Sequence, residues 1–111
     1  MAPVRGTVTY RGKPLERGRV TFTPEQGTPG PQAVGNIRPD GSFRMKTVGR
    51  EGASIGWHHV TVHLRRELTP EEEREMVRPE SLIPERYSRF SESPLRFRVE
   101  AGDNEYPIAL E

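Results

Sequence analysis

Apolar and polar side chains alternate with a period of two along much of this chain. Val4, Gly6, Val8 and Tyr10 take every second position of the opening run, Arg5, Thr7 and Thr9 fill the gaps, and the pattern resumes at Val20 and Phe22. This is the period of strands with one buried and one wet face. Between the two runs, residues 11–18 place one apolar side chain, Leu15, among glycines and a proline. The expected result is a pair of antiparallel strands joined by a firm elbow. Further on, residues 33–37 and 42–47 flank Arg38-Pro39-Asp40-Gly41, whose Pro-Asp-Gly chemistry reads as a hairpin turn. Phe43 and Met45 should face inward with Ile37, and Arg44 and Lys46 should face water.

Residues 25–32 and 48–56 are rich in glycine or turn formers and read as loops. In residues 57–64 the alternation puts His58, Val60, Val62 and Leu64 on one side, taken as core, and Trp57, His59, Thr61 and His63 on the other. Leu95, Phe97 and Val99 make another strand, 101–104 turn it, and Tyr106, Ile108 and Leu110 make the last. The total is seven strands, as in a β-sandwich. Its expected core is Val8, Leu15, Val20, Phe22, Ile37, Phe43, Val60, Val62, Leu95, Phe97, Val99, Ile108 and Leu110. One stretch is helical instead. Thr69 as N-cap, Pro70 at the first helical position and Glu72 completing a capping box predict a short surface helix near 70–77, with only Met76 and Val77 as apolar face. In the polar, proline-broken stretch that follows, Ile83 and Tyr87 should tack a crossing loop onto the sandwich edge.

Composition narrows this reading. The 111 residues suit one domain spanning 1–111, and 11 glycines with 11 prolines favour many short strands over a helical bundle. Seventeen basic residues against 16 acidic ones, interleaved along the chain, imply no polyanion partner, nucleic acid included. Cysteine is absent, which excludes disulfides, a thiol nucleophile and thiolate metal sites. No apolar run is long enough to span a membrane and no signal peptide is visible, so a membrane is expected only through a lipid anchor outside this chain.

The motifs then point to a family. Gly6-Thr7-Val8 with Gly12-Lys13-Pro14-Leu15, followed by Gly18-Arg19-Val20-Thr21-Phe22, resembles the G-x-V-x-x-x-G-x-P-L and G-x-x-V-x-F opening of carboxypeptidase regulatory-like domains. Asp40-Gly41-Ser42-Phe43 matches their D-G-x-F/Y turn, and 57–62 sit where they carry G-x-Y-x-V-x-V. The ending is similar to that of small bacterial envelope lipoproteins built from this single domain: Ile83-Pro84-Glu85-Arg86-Tyr87, then Ser93-Pro94-Leu95 through Val99 and Ala101-Gly102-Asp103-Asn104. Ser54-Ile55 stands where the family carries two prolines. The resemblance implies a transthyretin-like, Greek-key all-β sandwich that is not an enzyme, needs no cofactor, lies outside the cytoplasm (periplasm or cell surface) and contacts envelope proteins or glycans. Fold likeness alone does not assign an activity.

His58, His59 and His63 suggest a metal, but His58 and His59 point to opposite faces, and His59 and His63 stand about 13 Å apart at ~3.3 Å per residue, too far to share a zinc ion. The reading is therefore of solvent-facing or edge histidines and no metal site, with a metal-dependent enzyme as the remote alternative should the strand bend or neighbouring strands supply ligands. Tyr87 with His59 is the nearest approach to the Tyr/His ligands of sandwich-fold iron dioxygenases, and is insufficient; the C-terminal Tyr-Arg-Gly-Ser of hydroxyisourate hydrolases is missing. No G-x-S-x-G elbow supports a serine nucleophile. Glu71-Glu72-Glu73 reads as a solvated helix start, and Lys13 and Lys46 are too exposed for isopeptide crosslinking. What remains is a candidate contact set. Trp57 stands beside His59 and His63, as a sugar-stacking or protein-anchoring indole or as a cap on the sandwich edge. Arg96 and Arg98 project from one strand face, with Arg86 and Arg89 upstream, and could hold carboxylated glycans or an acidic partner.

Overall fold

The alternation becomes two facing β-sheets in the computed structural model of the chain, which describes residues 2–28, 30–64, 69–76, 83–89 and 92–110. The described residues form β1 (Val4–Tyr10), β2 (Lys13–Pro14), β3 (Arg19–Pro24), β4 (Ala33–Asn36), β5 (Ser42–Arg44), β6 (Lys46–Thr47), β7 (Arg50–Glu51), β8 (Gly56–His63), β9 (Arg96–Val99) and β10 (Asn104–Leu110). In the first sheet β1 is central, with β10 on one side and β2 and β5 on the other; the second sheet runs β7-β6-β4-β3-β8-β9. Val4, Val8, Phe43, Ile108 and Leu110 from the first sheet meet Val20, Phe22, Ala33, Val60, Val62 and Val99 from the second in one buried cluster. Of the expected core, only Leu95 and Phe97 are half-buried, packed against that cluster. The Phe97 ring stacks on Tyr106 of the opposite sheet at 4.4 Å between centroids.

The alternating runs are strands, but three successive pairs of them, β1 with β3, β4 with β5 and β9 with β10, lie in different sheets. The opening pair is not a hairpin: β1 pairs in parallel with β10 along its whole length, from Val4 opposite Asn104 to Tyr10 opposite Leu110. β3 lies in the other sheet, between β4 and β8. The elbow carries the chain across the core, because Leu15 is drawn inside, its N–H bonding back to the Val8 carbonyl at 3.0 Å. Gly18 completes the crossing at φ 127°, where a Cβ would stand 2.6 Å from the His63 carbonyl oxygen. The Pro-Asp-Gly turn does close, with Arg38 N–H to Ser42 O at 2.8 Å and Asp40 Oδ1 accepting from Ser42 N at 2.9 Å. Yet its flanks, β4 and β5, also belong to different sheets. The turn after β9 crosses likewise, held by the Asn104 amide, which donates to the carbonyls of Pro3, Glu100 and Gly102.

Two loops hold more structure than their composition suggests. Within 48–56 lies the tip of the β6–β7 hairpin, and Ala53 exchanges two 3.0 Å backbone bonds with Ala2. Just before β9 begins, the edge of β8 is completed by Leu95 O, which accepts from Val60 N, and by the Ser93 hydroxyl, which donates to Val60 O. Ile83 and Tyr87 are buried there, Ile83 just before the 3-10 turn Glu85–Tyr87 and Tyr87 as its last residue. The helix α1 (Pro70–Arg74) forms with its capping box and buries nothing; Met76 beyond it is 89% exposed, and Val77 lies outside the described residues.

Candidate binding face

Residues directly opposite in an antiparallel pair share a face. Trp57 faces Arg98 and His59 faces Arg96 across β8 and β9, while His59, Thr61 and His63 face Thr23, Thr21 and Arg19 across β8 and β3. All five candidate contact residues therefore lie on the outward face of the second sheet. Toward β4 this face opens into a shallow groove whose lining includes Arg19, Thr21, Val34, Thr61 and His63.

At the β9 edge the side chains are layered. The Arg96 guanidinium lies over the Trp57 ring, 4.4 Å from its centroid, and grips the Glu25 carboxylate with two bonds of 2.6 and 2.9 Å. Glu25 is itself fixed by its N–H to the Trp57 carbonyl at 3.0 Å. The hydrogen bond from Arg96, more than its charge alone, holds the Glu25 carboxyl below its ordinary value, and the same contact raises Arg96. Trp57 is 42% exposed, so it is neither a free platform nor a covered edge cap. Glu25 carried no local signal in the sequence: it sits in an irregular loop, 71 positions from its partner.

The other candidates separate. His59 Nε2 lies 3.2 Å from the Ser93 carbonyl, which can only accept, so this nitrogen carries the hydrogen. His63 stands further along the strand beside Arg19, not with His59. Arg98 is exposed and makes no side-chain bond among the described residues. The arginine stripe does not extend upstream, since Arg86 lies over the ring of Tyr87 and donates to its hydroxyl at 3.1 Å, and Arg89 pairs with Glu92 at 3.1 Å. His58 corrects the view of these histidines as solvent-facing or edge residues. It is fully buried, 5.5 Å from the Phe22 ring, with Nε2 donating to the Ser54 carbonyl at 2.7 Å and Nδ1 without a partner among the described residues. No family model, curated protein or solved structure matches the chain.

Proposed function

We propose that this chain is a non-catalytic module of the bacterial cell envelope, built on a transthyretin-like, seven-stranded Greek-key plan, that acts by protein contact through the outward face of its six-stranded sheet. The observation that supports this reading best is the Trp57–Arg96–Glu25 layering. Tryptophan and arginine are the side chains that most often carry binding energy at protein interfaces, and fixing them in advance lowers the entropy lost on docking. The envelope address and the lipid anchor rest on the motif resemblance, chiefly 83–87 and 93–104. A photo-reactive residue at position 98 tests the contact reading: it should yield one dominant protein adduct in the envelope fraction, lost on Trp57→Ala while the circular dichroism is unchanged. An adduct that survives Trp57→Ala overturns it.

A carbohydrate-binding role for the same face is the second reading, favoured by the half-exposed indole beside His59. The guanidinium over the ring weighs against it, since a stacking sugar must displace Arg96 or use the surface it leaves open. Retention of sugars on a glycan array, abolished by Trp57→Ala, would decide for this reading.

A further inference from the structure

A second charged surface lies away from Trp57. Arg5 on β1 and Arg44 on β5 are directly opposite in register, and both are exposed. Like charges facing each other across two strands destabilise the pair, so an arrangement of this kind gains from an anion between them. Two open grooves meet here. The lining of one includes Arg5, Thr7, Arg38, Ser42 and Arg44, with Glu105 at its side; that of the other includes Asn36, Arg38, Arg44 and Lys46, with Glu51. Arg38 and Arg44 line both, so the grooves form one bent track. Among the described residues the side chains of Arg5, Arg38, Arg44 and Lys46 make no hydrogen bond or salt bridge, in contrast to Arg96 with its Glu25. The nearby carboxylates leave them so: Glu105 flanks Arg5 and Glu51 flanks Lys46 in register without ion pairing, and Asp40, close to Arg38, is turned to Ser42.

We infer that this double groove binds an acidic polysaccharide, an extended chain whose carboxylates pair with the guanidinium forks of Arg5, Arg38 and Arg44. Planar guanidinium groups match carboxylates with two parallel bonds, a fit that ammonium groups lack. Thr7, Asn36 and Ser42 offer the hydroxyl and amide partners that sugar hydroxyls need. The aromatic side chain in the lining, Phe43, is itself buried, so the track lacks the exposed aromatic anchor that a folded protein partner would use.

Affinity chromatography and titration with polygalacturonate test this, with neutral dextran and poly-glutamate as the comparison polymers. The protein should bind polygalacturonate at low salt, release it by about 0.5 M salt, where surface charges are screened, and ignore dextran. The double variant Arg5→Gln/Arg44→Gln should bind at least about tenfold more weakly, as expected for two lost charge-assisted contacts, with an unchanged circular dichroism spectrum. Lys46→Gln should weaken binding less, and Trp57→Ala should leave it unchanged, which separates this surface from the contact face proposed above. Absence of binding by the unsubstituted protein, equal binding by a folded double variant, or poly-glutamate bound as tightly as polygalacturonate would overturn the inference, the last by assigning the track to an acidic protein.

Discussion

A Cβ added to Gly6 would stand 2.0 Å from the Tyr106 carbonyl oxygen and 2.9 Å from the Phe43 ring, so the strand can pass between its two neighbours only without a side chain there. Gly6→Ala should force β1 away from β10 and cost on the order of 3 kcal/mol, read as a lower urea midpoint. His58 separates packing from hydrogen bonding. Its ring fills the core beside Phe22, while its Nδ1 is buried without a partner among the described residues. His58→Ala should therefore cost about 3 kcal/mol through the cavity it leaves. His58→Phe, which keeps an aromatic ring and removes the unsatisfied Nδ1 but also the Nε2 bond to the Ser54 carbonyl, should cost about 1–2 kcal/mol, less than the alanine. At Glu25 the effect is one of pH. Because its folded-state value is depressed by Arg96, the contact is fully present above 4.5, the ordinary value, and is lost as the pH falls through the lower folded value. Trp57 fluorescence should report that loss with a midpoint below 4.5, and Glu25→Gln should abolish the transition. The inward aim of His58 was legible from the valines two and four positions on. Glu25 was not legible, because nothing local marks an acid whose partner lies 71 residues away.

Elements show the same division between local and distant information. Alternation tells which way a side chain points, and the runs around Val8, Phe22, Val60, Phe97 and Ile108 all lie in strands. It carries no mark of which strand lies beside which. Three turns read from the sequence, at 11–18, 38–41 and 101–104, pass the chain from one sheet to the other because Leu15, Ile37 and Asn104 are drawn inside. The β6–β7 hairpin was missed for a different reason. Its two-residue tip requires positive φ at both central positions, and Val48, at φ 47°, is a residue type that avoids this region. The valine is 83% exposed and buries little in return. Val48→Asn should relieve the backbone and raise stability by about 1 kcal/mol, visible as a higher thermal midpoint with no change of fold.

Across the whole molecule, the first sheet joins residues a hundred positions apart, with Val4 beside Asn104 and Tyr10 beside Leu110. The two strands run the same way, so the chain enters β1 at one end of the sheet and leaves β10 at the other. Tension applied through the two ends would slide these strands past each other and strain the row of backbone bonds between them together, whereas tension between Val4 and Asn104, which are neighbours at one end, would open the same row bond by bond. In an optical trap, handles at 4 and 110 should therefore rupture the domain at a clearly higher force than handles at 4 and 104. A module tethered at one end and loaded at the other would meet mechanical stress along its most resistant direction.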